Sequence, residues 1–141
     1  MMQIYFLSIA YLLLGSAFLL SDMYGGRFAL LLSLRYVFRT NKGFQKVMIV
    51  LGFALSLALG VFPMAPGPPL LGDLIPMANT VLLSFWYLFH ALRYTDEEAS
   101  LQEASVLETT GQYFEKNKRN FGFLTGIIGV LHFLVPMSVL L

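Results

Sequence analysis

Leu74-Ile-Pro-Met-Ala-Asn-Thr-Val-Leu-Leu-Ser-Phe-Trp-Tyr-Leu-Phe-His-Ala-Leu92 runs for 19 residues without a single Asp, Glu, Lys or Arg. A helix of roughly 20 apolar residues crosses the hydrocarbon core of a bilayer, so a stretch this long and this pure reads as a membrane span. Met2–Leu20, Val47–Phe62 and Phe121–Leu141 are equally free of those residues. Spans at about 2–20, 47–62, 74–92 and 121–141 use nearly all of the 141 residues. The expected fold class is therefore an all-α integral membrane protein with four transmembrane helices, forming one transmembrane domain over 1–141. Composition agrees: 57% of residues are hydrophobic and 12% charged, whereas soluble domains are nearer a quarter charged.

Orientation follows from the loops. Arg27, Arg35, Arg39, Lys42 and Lys46 separate the first two spans, and Arg93, Lys116, Lys118 and Arg119 separate the last two. The middle loop carries only Asp73. Lys and Arg stay on the cytoplasmic side of short loops, which predicts both termini outside, as in a protein of the bacterial inner membrane. The N-terminal Met-Met-Gln-Ile-Tyr-Phe has no basic region and reads as a retained span instead of a cleaved signal. A net charge of +1 lacks the concentrated basic face that nucleic acid requires. The absence of Cys rules out disulfides, thiolate metal sites, iron–sulfur clusters and Cys nucleophiles.

Pro63–Pro76 holds five of the six prolines, and fixed φ angles make it a stiff turn between two spans. On the inner side, Arg35, Arg39, Lys42 and Lys46 follow i, i+4, i+7, i+11. That spacing predicts one basic helical stripe against lipid phosphate or an acidic helix. Residues 21–40 read either as such an interfacial helix or as an extension of the first span bent at Gly25-Gly26. Thr95-Asp96-Glu97-Glu98 is a capping box. With Leu101, Ala104, Leu107, Gly111 and Phe114 it predicts an acidic amphipathic helix on the inner surface. Ser33-Leu-Arg-Tyr36 is echoed by Ala91-Leu-Arg-Tyr94, Asn41-Lys42 by Asn117-Lys118, and Phe62-Pro-Met64 by Val135-Pro-Met137. That order fits a two-helix parallel repeat.

Gly52, Ser56 and Gly60 recur every four residues, and Gly122, Gly126 and Gly129 form a second small-residue face. Such faces let membrane helices approach closely, because lipid supplies no hydrophobic drive between them. They suit packing inside the bundle or against a partner helix, whether from another protein or from a second copy. The third span is the most polar: Asn79 and His90 share one face, with Ser84 and Tyr87 on the next. His132 lies mid-span, where an ionisable group is by default a functional candidate. Charging it there would cost a few kcal/mol or more, so a neutral imidazole hydrogen-bonded to Ser8, Tyr11, Ser56 or Ser84 is expected. Pro136, four residues on, cannot donate to the carbonyl of His132. By helical rise, His90 and His132 differ in depth by roughly 15 Å, which disfavours bis-His haem.

No paired carboxylates, metal-spaced His, Ser/His/Asp set or phosphate-cradling loop is present. The sequence thus predicts no catalytic residues, no metal and no cofactor. Its partners should be membrane lipid and other transmembrane helices. The expected role is a non-catalytic accessory or structural subunit of a membrane complex. The alternative is a small oligomeric transporter or channel that uses the polar face of the third span.

Overall fold

The computed structural model describes residues 2–62, 73–93 and 101–135, and these form five helices without strands. In order they are α1 (Met2–Tyr24), α2 (Ala29–Thr40), α3 (Lys42–Val61), α4 (Leu74–Arg93) and α5 (Leu101–Leu134). Three of them, α1, α3 and α4, contain stretches long and apolar enough to cross a membrane: Met2–Ser21, Lys42–Val61 and Leu74–Leu92. Their outward faces carry Phe6, Val50, Leu57 and Leu82, all more than 40% exposed. A large continuous apolar exterior suits lipid and not water.

Two breakers set the connection from α1 to α3. Gly25 donates from its N–H to Ser21 O at 2.8 Å. A Cβ at Gly25 would sit 2.4 Å from that same oxygen, so only glycine fits this turn. Residues 29–40 are therefore a separate helix, not an extension of α1. Asn41 then ends α2 and starts α3: its N–H donates to Val37 O, and its Oδ1 accepts from Phe44 N at 3.0 Å. Asn is suited to this because its side chain competes for backbone donors. Gln45 completes the junction by donating from Nε2 to Phe38 O at 2.7 Å. The break corrects the expected single basic stripe. Arg35 and Arg39 belong to α2, whereas Lys42 and Lys46 occupy the first turns of α3. It also separates the two halves of the sequence echo: Leu34-Arg35-Tyr36 lies in α2, while Leu92-Arg93 ends α4.

A second correction concerns α5. The expected inner-surface helix and the fourth span are one continuous helix of 34 residues. No proline falls between Leu101 and Leu134, and the one glycine in its first half, Gly111, is tolerated at about 1 kcal/mol. The stiff proline segment 63–72, the capping box at 95–98 and Pro136 lie outside the described residues. So does the final part of the expected span 121–141.

The two most extensive helix pairings are α1 with α5 and α3 with α4; among the described residues the backbones of α3 and α5 do not approach one another. Both pairs are antiparallel and both close on glycine. A Cβ at Gly122 would lie 2.9 Å from Leu20, one at Gly126 2.7 Å from Ser16 Oγ, and one at Gly129 3.3 Å from Leu12 Cβ. On the other seam, a Cβ at Gly60 would meet Met77 Sδ at 3.0 Å. The tightest point is Gly52, where a Cβ would fall 2.0 Å from Tyr11 Oη and 2.1 Å from Ser84 Oγ. Between these seams, Tyr11, Leu12, Phe18, Leu83 and Tyr87 fill the middle of the bundle, each at most 2% exposed.

Gly52→Ala should lower the unfolding midpoint in detergent, at a cost of about 1–3 kcal/mol from overpacking. Gly111→Ala should be neutral or stabilising, since a Cβ there meets nothing within 4 Å and alanine is the better helix former. Thermal unfolding of both variants checks the pair of opposite signs.

Candidate functional site

Polar side chains collect at three levels. Those at mid-depth hold the helices together. Tyr11 Oη donates to Met48 O at 3.0 Å and lies 3.3 Å from Ser84 Oγ. Ser84 Oγ in turn donates to Thr80 O at 2.7 Å. Ser56 is buried on the same face of α3 as Gly52. Ser16 Oγ donates to Gly122 O at 2.8 Å across the other seam. Thr125 Oγ1 donates to Asn79 Oδ1 at 3.3 Å, joining α5 to α4. Two buried groups at this depth, Asn79 Nδ2 and Tyr87 Oη, have no hydrogen-bond partner among the described residues.

At the end that holds the N-terminus of α1, Tyr5, Ser8, Asp73 and His132 are all buried. The Tyr5 ring packs on the His132 imidazole with centroids 4.8 Å apart. Tyr5 Oη donates to His132 O, with Phe133 O at 3.4 Å. The sequence expectation placed a hydroxyl on the His132 imidazole, whereas the bond observed runs from Tyr5 to the main-chain carbonyl of His132. Tyr11 and Ser84 are committed at mid-depth, and Ser8 Oγ donates to Tyr5 O at 2.7 Å. Tyr5 instead meets the carbonyl that Pro136 cannot bond. Asp73 stands before α4, its main-chain carbonyl accepts from Met77 N at 3.0 Å, and it lies close enough to act electrostatically on the Tyr5 hydroxyl.

The opposite end is aromatic and basic. Phe38 of α2 stacks on Trp86 (5.7 Å, 12°) and on His90 (5.3 Å, 28°), and Trp86 stacks on His90 at 5.4 Å. Lys118 is 5% exposed, with its Nζ 5.3 Å from the Trp86 ring centroid and 3.7 Å from Glu115 Oε1. Its apolar stem lies buried while its charge rests on an aromatic face and a carboxylate. Arg119 lies 6.0 Å over the Phe123 ring. Arg39, Lys42 and Lys46 are exposed at this same end, with Arg35 part-buried. Sequence reasoning did not place Tyr5 at His132, and it missed Thr125 and the Trp86–Lys118 contact. The available signals were a hydroxyl in each outer span and a Glu-x-x-Lys pair at helical spacing.

His90 and His132 thus sit at opposite ends of the bundle. The described residues contain no group of three or more His, Cys, Asp or Glu side chains that could hold a metal ion.

These features define a helical membrane protein whose core is closed by glycine contacts and hydroxyl-to-carbonyl bonds. Residues 1–132 match a protein family of unknown function, and the chain belongs to that family. No curated protein and no solved structure matches it.

Tyr5→Phe removes the donor to His132 O and should cost about 0.6–2 kcal/mol, the scale of interhelical hydrogen bonds in membranes. His132→Gln should leave that carbonyl bond intact and lose less than Tyr5→Phe. Comparing the two unfolding midpoints in detergent checks this order.

Proposed function

We propose that this protein is a four-span membrane protein with both termini outside, serving as a non-catalytic accessory or structural subunit of a membrane complex. The bacterial inner membrane is the compartment this topology fits. The distribution of charge supports the orientation. The C-terminus of α1, the turn after it, all of α2, the N-terminus of α3 and the part of α5 before Phe121 fall at one end and carry Arg27, Arg35, Arg39, Lys42, Lys46, Lys116, Lys118 and Arg119. The short loops there are the ones that remain in the cytoplasm. The fourth span is then the C-terminal part of α5 with the residues that follow it. The helix pairing supports a two-helix parallel repeat, since exchanging α1 with α4 and α3 with α5 turns the α1–α5 seam into the α4–α3 seam.

The length of α5 carries the accessory reading. Thirty-four residues rise about 51 Å at 1.5 Å each, against a hydrocarbon core of about 30 Å. An unbroken arm therefore projects on the inner side and presents Tyr113, 62% exposed, together with Gln112, Lys116 and Arg119. The small-residue faces are already used inside the chain, so a partner meets this arm, α2 and the outer apolar surfaces. A transporter, the second reading, is favoured by one observation: Asn79 Nδ2 and Tyr87 Oη are buried polar groups left unbonded among the described residues. Against conduction through the bundle stands its filled middle.

Purification in mild detergent separates the two. A stoichiometric partner lost on Tyr113→Ala and Lys116→Glu supports the accessory reading. A bare homo-oligomer, unchanged by both, supports the transporter and contradicts it.

A further inference from the structure

We propose that the seam between α1 and α5 holds one membrane phospholipid, with an acyl chain in its hollow and an anionic headgroup at Lys116 and Arg119. This goes beyond the accessory reading and holds in either orientation. An apolar hollow of about 340 Å³ opens beside Ser16 and Gly126, within the range of about 300–1,000 Å³ typical of ligand pockets. Gly126 lets the two helices close on Ser16, and the longer side chains around them stand proud. Leu13, Phe123, Ile127 and Val130 form these walls, each 42–55% exposed. The size of the space chooses the occupant. A helix with its side chains is about 10–12 Å across, too thick to enter, whereas a flexible hydrocarbon chain fits. Ser16 Oγ already donates to Gly122 O at 2.8 Å, so the floor keeps no free donor for a partner helix.

The charges choose the head. Gly122 stands against Leu19 and Leu20, so Arg119, three residues earlier, lies level with the end of the apolar stretch Met2–Ser21. Headgroups belong at that level. Lys116, Arg119, Phe123, Ile127 and Val130 follow i, i+3, i+7, i+11 and i+14, which is one stripe of α5. The stripe leads from two exposed cations into the hollow. The Arg119 guanidinium lies 6.0 Å over the Phe123 ring, which holds its plane and leaves its N–H fork for a phosphate. From across the seam, Tyr24 packs on the same ring with centroids 6.2 Å apart. Glu115 faces Lys118 at 3.7 Å, so Lys116 and Arg119 carry charge without an acidic partner among the described residues. Length agrees as well. From Arg119 to Leu131, the last residue of the hollow, α5 rises about 18 Å at 1.5 Å per residue. One leaflet supplies half of a hydrocarbon core of about 30 Å.

The full-length protein is stripped of lipid in detergent, mixed with equal amounts of phosphatidylglycerol and phosphatidylcholine, and read by native mass spectrometry. One phospholipid per chain should be retained. The glycerol lipid should exceed the choline lipid about two- to fivefold, the range an exposed ion pair supplies. Lys116→Gln combined with Arg119→Gln should equalise the two lipids. Val130→Trp fills the hollow from its exposed side and should remove the retained lipid, and Ile127→Trp should do the same. Leu57→Trp, on the outer face of α3 and 71% exposed, should keep it. Inorganic phosphate should not compete, because the tail holds the lipid in place. No retained lipid, lipid retained by both hollow-filling variants, equal retention of the two lipids by the unaltered protein, or displacement by inorganic phosphate would each overturn the proposal. So would a disulfide-linked dimer of Val130→Cys in membranes, which would seat a second copy on the hollow. Unchanged unfolding midpoints for the variants exclude a folding defect as the cause.

Discussion

A hydroxyl set into a notch where a side chain is missing holds this bundle together. Lipid tails are as apolar as leucine, so helices in a membrane gain little by hiding apolar surface from them. They gain by approaching closely and by bonding polar groups across the gap. Tyr11 does both, entering the space above Gly52 and donating to Met48 O. Ser16 bonds Gly122 O beside Gly126, and Tyr5 bonds His132 O near the end of α5. α1 supplies all three donors, so it ties α3 to α5, two helices whose backbones do not approach one another among the described residues.

That arrangement divides the molecule by depth. The middle is taken up by packing, and Tyr11, Leu12, Leu83 and Tyr87 leave little for a solute to follow. Chemistry is left to the two ends. One is a small buried cluster of Tyr5, Asp73 and His132. The other is an aromatic and basic surface at the opposite end, where Lys118 rests on Trp86. The α4–α5 seam is less extensive than the α1–α5 and α3–α4 seams, while an apolar hollow of about 340 Å³ opens on the α1–α5 seam beside Ser16 and Gly126. A membrane protein with a filled core and an open seam is built to be held by, and to hold, what surrounds it.

Charge-free length made three spans legible from sequence, because the cost of charge in lipid acts on composition directly. Glycine spacing likewise marked Gly52, Gly60, Gly122, Gly126 and Gly129 as close-approach positions. It could not say which helix approaches, since any small residue suits any neighbour. The α2–α3 break at Asn41 was hidden by the regular basic stripe, because local capping overrode the i, i+4 pattern. The Tyr5–His132 bond was missed because a hydroxyl near the end of a span has water as an ordinary partner. Its role depends on the antiparallel register with α5, which sequence does not display. The Lys118 contact was hidden for the same reason: Trp86 lies 32 positions away in the chain and on another helix.

The central claim is that the glycine stripe of α5 faces α1 of the same molecule and not a second copy. The chain has no native Cys, so a Cys pair at Leu12 and Gly129 measures it directly. A Cβ at Gly129 lies 3.3 Å from Leu12 Cβ, close to the spacing of about 3.5–4.5 Å found in disulfides. Mild oxidation of Leu12→Cys/Gly129→Cys in membranes should yield a cross-linked monomer. Mixed single-Cys variants should yield no dimer. A disulfide-linked dimer from the mixed variants, with no cross-link inside the double variant, would contradict the account.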